Sequence, residues 1–261
     1  NWLRDAGAWA EIPAASICPM HTARIETGTA GSPPLLFDAP ADGPDALGYL
    51  VANHLIRRAL YRVAERTPGL EIRAGEGIET ARHNAQSASV TLTDSTELTA
   101  DLLVGADGRF SRLRDNAGIG AIVHDFGRSI LVCRMHHPES HAHTALQWFD
   151  EGQTIALLPI APDGREGASS SLVLTLENDE IARLKTLEAD AFNAEITERT
   201  QGRMGPMELE SPRCSYPLKA VYAHRFHAPR FALIGDAAVG MHPITAHGFN
   251  LGLKGQETLA R

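Results

Sequence analysis

The sequence predicts a mixed α/β fold of the α+β kind. A partial Rossmann-like unit is interleaved with a mostly antiparallel β-sheet unit. Three observations carry that prediction. Phe231 to Ile234 is a short apolar run closed by Gly235, as for a strand buried on both faces, and it leads through a Gly-Asp turn to a helix entrance near Gly248. Asp101 to Arg114 repeats the theme, with an apolar strand running into Gly105-Ala106-Asp107-Gly108. Between these two stretches, residues 121–225 are rich in short alternating segments separated by turn residues.

The elements follow in order. Trp2 to Trp9 reads as a helix. Ala23 to Asp38 holds short extended segments broken by Gly28, Gly31, Pro33 and Pro34. Tyr49 to Thr67 has helical periodicity, with Leu50, His54, Leu55, Ala59, Val63 and Ala64 on one side and Pro68-Gly69 as its stop. Leu70 to Val104 reads as a small β-meander, with Leu70–Arg73 and Ser87–Thr93 as strands. Ser129–Met135 is a strand, and Thr144–Phe149 and Thr154–Pro159 form a hairpin across Asp150-Glu151-Gly152. Ser170–Leu176 is a further strand, and Asn178 or Asp179 caps a helix reaching about Thr200. Trp148, Phe149 and Tyr216 are expected to pack. The chain therefore divides into 1–45 (leading helix and sheet-unit strands), 46–120 (helix, meander and Asp-Gly turn of the ligand-binding unit), 121–225 (β-sheet unit) and 226–261 (Gly-Asp turn and helix start).

The Gly-Asp turn has the chemistry of a binding site. Asp236 stands at the carboxyl end of its strand, where open α/β sheets bind ligands. Ala237 and Ala238 let a ligand approach the backbone. Gly248 and Gly252 flank a helix start whose free N–H groups favour negative charge. The set suits a polyhydroxylated, partly anionic ligand; the ordinary alternative is a strand–turn–helix with Asp236 as a plain cap. His242 and His247 lie in the same loop, as proton donors titrating in the working range or as loop-stabilising hydrogen-bonders. His136, His137, His141 and His143 cluster in MHHPESHAHT, but no carboxylate or cysteine ligand pattern accompanies them. Pro138 and Ser140 point to an exposed loop, and no metal is expected. Cys18, Cys133 and Cys214 lack metal or redox spacing and read as small core residues.

Taken together, Gly235-Asp236-Ala237-Ala238, His242-Pro243 and Gly248-Phe249-Asn250-Leu251-Gly252-Leu253 resemble the second flavin motif of the class A FAD-dependent aromatic hydroxylases, within them the ubiquinone-biosynthesis hydroxylases. The resemblance implies that Gly235 and Asp236 meet the ribityl chain of FAD, that Pro243 lies beside the isoalloxazine ring, and that Gly248, Phe249, Asn250 and Leu251 face its pyrimidine edge. His242 matches a histidine of the subgroup, whereas His247 stands where glutamine is usual. Asp101, Gly105, Asp107, Gly108, Ser111 and Arg114 resemble the family's middle motif, which implies that Asp107 and Gly108 approach the pyrophosphate and ribityl region. Asn53 falls where a polar residue opening a helix contacts the flavin phosphates, although His54 replaces the usual arginine. HTALQWF, IALLPI, SSSLVL and Tyr216-Pro217-Leu218 are similar to the subgroup's substrate domain, so the resemblance covers nearly the whole chain.

Two elements of the family are expected to be missing, the N-terminal Rossmann unit and the C-terminal helices. The opening βαβ unit with G-x-G-x-x-G is absent. Gly75-Glu76-Gly77 lacks the third glycine and precedes a strand pattern. The chain is therefore expected to be a fragment that is inactive by itself, from an intact parent that is an enzyme; whether the fragment binds FAD stays open. The resemblance implies FAD as cofactor and NAD(P)H as electron donor, with O₂ reacting at the flavin to give a C4a-hydroperoxide that hydroxylates an aromatic ring. A polyprenyl phenol of ubiquinone biosynthesis leads as substrate, a water-soluble phenol follows, and NADH versus NADPH stays open.

Composition narrows the classes. A net charge of −8 over 261 residues argues against nucleic acid and against a basic membrane patch. No run approaches the roughly 18 apolar residues of a membrane span. A 43% apolar fraction is ordinary for a globular protein. The expected location is cytoplasmic, with peripheral attachment to the inner membrane or a ubiquinone-biosynthesis complex as the variant. Two other readings remain: a flavin-dependent isoprenoid-lipid reductase on the same fold, and a folding or interaction unit without FAD. A flavin halogenase lacks its Trp-x-Trp-x-Ile-Pro string here.

Overall fold

A computed structural model describes residues 2–27, 33–150, 152–162, 164–243 and 247–261. In chain order the elements are α1 (Trp2–Asp5), β1 (Ile17–Met20), β2 (Thr22–Thr27), β3 (Leu35–Asp38), β4 (Gly48–Val51), α2 (Asn53–Arg66), β5 (Ile78–His83), β6 (Ala88–Leu92), β7 (Glu97–Ala100), β8 (Leu103–Gly105) and α3 (Arg112–Asn116). They continue as β9 (Ala121–His137), β10 (Thr144–Asp150), β11 (Gln153–Pro159), β12 (Ala168–Glu177), α4 (Asn178–Thr186), α5 (Ala189–Arg199), β13 (Glu208–Leu209), β14 (Cys214–Ala223), β15 (His227–Ala228), β16 (Phe231–Leu233), β17 (Val239–Gly240) and α6 (Gly248–Ala260). Backbone contacts divide the chain into two compact units, 1–70 with 127–217 and 71–126 with 218–261. Each unit is built from two separated stretches, as the interleaving predicts. No helix among the described residues is long and apolar enough to cross a membrane.

The first unit centres on a sheet of order β9-β12-β11-β10-β2-β3, with β13 beside β9. All of these pairs are antiparallel except β10 with β2. The two-residue period puts Leu131, Cys133, Met135, Trp148, Ile155, Leu157, Leu172 and Leu174 on one buried face. Ile181 and Leu184 of α4 and Phe192 and Ile196 of α5 pack against them. Burying each such side chain contributes roughly 1.5–3 kcal/mol, so this layer dominates the unit's stability.

Several expectations need correction. The single helix to Thr200 is two helices, because Leu187 and Glu188 take extended backbone angles. Neither Asn178 nor Asp179 is the cap: Asn178 is the first helical residue, and its Oδ1 accepts from the Ser129 hydroxyl. The leading helix stops at Asp5, where Gly7 turns the chain with φ +76°. Tyr49–Val51 belong to β4, because they pair with β1 instead of continuing α2. The buried face of α2 is consequently Ile56, Ala59, Leu60 and Val63 against Leu3, Ala8 and Ile12, and His54 is exposed. This packing places residues 46–70 in the first unit, not with 71–120. Tyr216 is 58% exposed rather than packed, and Cys214 is exposed whereas Cys18 and Cys133 are buried.

Only part of the histidine cluster is an exposed loop: Pro138 to Ser140 are exposed, whereas His141 and His143 are partly buried. His136 and His137 end β9 and are buried, and the Ser170 hydroxyl lies 2.9 Å from His137 Nε2 while Nδ1 lies 2.7 Å from the Glu139 carbonyl. No group of histidine, cysteine and acidic residues suited to a metal occurs among the described residues.

In the second unit β5, β6 and β7 form the expected meander, although Leu70–Arg73 makes no strand. A separate sheet of order β15-β16-β8 carries the two motif strands. Its core holds Leu113, Ile119, Phe231, Leu233 and Ala237.

Candidate functional site

The two motif strands lie side by side. β8 and β16 are parallel, with Leu103 opposite Phe231, Val104 opposite Ala232 and Gly105 opposite Leu233. A Cβ at Gly105 would stand 2.9 Å from Leu233 Cδ2, so close packing of these strands requires glycine. Each strand then turns and presents a carboxylate: Asp107 from one, Asp236 from the other.

Asp107 is spent on its own turn. Its two oxygens accept from the Ser111 hydroxyl and from the Leu113 N–H at 3.1 Å. Ser111 is the N-cap of α3 and accepts from the Arg114 N–H at 2.9 Å. Gly108 holds φ +87°, a conformation that favours glycine. Arg114 is 5% exposed and donates through Nη1 to the carbonyls of Arg109 and Ala237, both at 3.2 Å. One buried guanidinium therefore ties the Asp-Gly turn to the Gly-Asp turn.

Asp236 is differently placed. Gly235, with φ +58°, opens a single 3₁₀ turn over Gly235–Ala237. Only Oδ2 of Asp236 is engaged, accepting from Arg109 Nη2 at 2.9 Å and Nε at 3.2 Å. Among the described residues no donor bonds Oδ1, and the side chain is 39% exposed. Arg109 also donates to the Lys219 carbonyl at 2.6 Å and the Met241 carbonyl at 3.4 Å. The motif comparison passed over Arg109; its only sequence signal is a basic residue directly after Asp-Gly.

The start of α6 rests against this turn, a Cβ at Gly252 reaching 3.5 Å from the Gly235 Cα. Gly248 begins the helix with no side-chain cap, so the N–H groups of Gly248, Phe249 and Asn250 have no acceptor within the helix, and Leu251 N–H bonds the His247 carbonyl at 2.9 Å. Phe249 and Leu251 are exposed, as are Pro243 and His247. His242 is half-buried, which pushes its imidazole pKa below 6.5, and it meets the Phe126 ring edge-on at 4.8 Å. Beside it lies an apolar cleft of about 560 Å³ lined by Ile122, Tyr222, Phe226, Met241, His242 and Leu251. Residues 244–246 of the loop lie outside the described residues. Asn53 belongs to the first unit, exposed at the first residue of α2.

These groups fit a flavin nucleotide: an open carboxylate oxygen for a hydroxyl, a glycine turn without side chains, and uncapped amides for an anionic edge. The FAD binding domain family matches residues 2–261. The chain belongs to that family. It is 41% identical to the ubiquinone hydroxylase UbiM of Neisseria meningitidis over 99% of this chain and 56% of that protein. To the ubiquinone hydroxylase UbiL of Rhodospirillum rubrum it is 36% identical, over 99% of this chain and 58% of that protein. The chain thus spans a little over half the length of these relatives. The crystal structure of PqsL, a probable FAD-dependent monooxygenase from Pseudomonas aeruginosa, shares the fold with a TM-score of 0.79 at 22% identity, over 99% of this chain and 71% of that one.

Proposed function

We propose that the protein is an FAD-dependent monooxygenase that hydroxylates the aromatic ring of a polyprenyl phenol or quinone precursor in ubiquinone biosynthesis, with NAD(P)H as reductant. The 41% identity to a ubiquinone hydroxylase, running through both flavin motifs, is the observation that carries this reading. FAD, when bound, supplies the oxygen-activating chemistry. The residues of the chain bind, orient and shield it. Asp236 Oδ1 accepts a ribityl hydroxyl, and the α6 amides at Gly248 to Asn250 meet the negative edge of the ring. Asp107 and Gly108 act by holding the turn beside it.

Pro243 and His242 shape the reaction side. The cleft beside His242 is large enough for one aromatic ring with part of an apolar tail, and its lining offers that ring an apolar surface. His242 is the first candidate for proton exchange with the substrate, and burial holds its imidazole pKa below 6.5. His247, exposed before α6, is the second candidate for that exchange.

The test is an FAD titration of the full-length protein and of this chain, each with Asp236→Ala, followed by product mass spectrometry with a polyprenyl phenol. Asp236-dependent binding and a gain of one oxygen atom support the proposal. A product that gains two hydrogens instead assigns the isoprenoid reductase, and absence of FAD binding in every form removes the flavoenzyme reading. Binding by the full-length protein alone would locate missing contacts outside these residues.

A further inference from the structure

Resting on the flavin reading, we infer that Arg109 is a positioning residue for the cofactor: it fixes the Asp236 carboxylate and neutralises it, so that one oxygen receives a ribityl hydroxyl without repelling the anionic diphosphate. The geometry is specific. Both Arg109 donors converge on Oδ2, at 2.9 and 3.2 Å, and Oδ1 is left open. The guanidinium is itself anchored by the Lys219 carbonyl at 2.6 Å and the Met241 carbonyl at 3.4 Å, so the carboxylate is held by a braced fork rather than a free side chain.

Gly240 provides a second, independent observation. A Cβ there would lie 2.6 Å from Arg109 Nε, 3.1 Å from Cγ and 3.2 Å from Cδ. The middle of the side chain is what it meets, which cannot swing aside as a flexible tip could. Gly240 is thus the space through which Arg109 reaches Asp236. Charge gives the arrangement a purpose. FAD brings a dianionic diphosphate, and an unpaired, half-exposed aspartate in the same site would oppose it by a repulsion that salt screens. Paired with Arg109, the site presents an acceptor oxygen and no net charge.

The experiment is FAD affinity by flavin fluorescence at low and high salt, on the full-length protein and four variants, with urea midpoints recorded for each. Arg109→Met should weaken FAD roughly tenfold at low salt, the scale of one charge-assisted hydrogen bond, and recover partly as salt rises. Adding Asp236→Asn to Arg109→Met should restore most of that loss, because the isolated negative charge is gone. Arg109→Lys should keep the wild-type salt response at reduced affinity, which also serves if the methionine variant folds poorly. Gly240→Ala should weaken FAD while retaining both charges. Arg109→Met binding like wild type, or a double variant weaker than Arg109→Met, overturns the inference while the flavin reading stands. A wild type that does not bind FAD overturns both.

Discussion

The Asp-Gly turn after β8 and the Gly-Asp turn after β16 leave adjacent parallel strands and carry the same pair of residues in reverse order, yet their carboxylates are used in opposite ways. Asp107 gives one oxygen to Ser111 and the other to the Leu113 N–H, closing a helix start upon itself. Asp236 gives one oxygen to Arg109 and keeps the other open. A carboxylate satisfied from within stabilises the fold, whereas one oriented but half-satisfied is prepared for a ligand. The contrast predicts that the two positions separate stability from binding.

The largest effects should appear where that separation is most complete. Asp236→Ala is expected to weaken FAD by roughly 10- to 100-fold, the range for a hydrogen bond to a charged group. The same change should move stability by less than about 1 kcal/mol, since the pair with Arg109 is partly exposed. Titration beside a urea melt checks both halves. Arg114→Met tests the link between the turns. Its removal leaves the buried Ala237 carbonyl without that donor and should cost about 3 kcal/mol of unfolding free energy, with FAD binding falling because both turns loosen together. A melt unchanged within error would show that the turns are independent.

Next in size is Asp107→Ala. Removing the carboxylate that receives Ser111 and Leu113 should destabilise the second unit by about 1–2 kcal/mol, the usual cost of losing a helix cap. If FAD affinity fell more steeply than for Asp236→Ala while the melt held, the roles assigned to the two aspartates would have to be exchanged.

Much of this was legible in the sequence, and what was not has physical reasons. The apolar strand Phe231–Leu233 announces itself because a doubly buried strand must be continuously apolar, and the break in that pattern before Gly248 marks the helix start. Period-two alternation likewise gave β10, β11 and β12. Tyr49–Val51 misled because its apolar residues satisfy a helical stripe and a strand equally well, and only pairing with Ile17–Pro19 decides. Arg109 escaped because an arginine after a turn looks solvated, and its three acceptors come from positions more than a hundred residues away. The burial of His137 was hidden for the same reason: Ser170, which satisfies it, is a neighbour only through the β9–β12 register.

That buried histidine yields the smallest predicted effect, and it falls in the first unit, away from both turns in sequence. Burial is the main cause holding the His137 and His141 imidazoles below 6.5; their neighbouring histidines push the same way, while the carbonyls of Glu139 and Ile160 oppose it. A folded-state pKa below the unfolded value means that the unfolded chain binds more protons between the two. The contribution to stability is therefore complete above about pH 6.5 and is lost as the pH falls through the lower folded values. Urea midpoints should drop between neutral pH and pH 5.5 in wild type. His137→Gln should be less stable at neutral pH, having lost the contact with Ser170 or Glu139, but its midpoint should change less over the same interval. An equally steep pH dependence in the variant would mean that His137 does not contribute to the loss, and that the remaining titrating groups carry it.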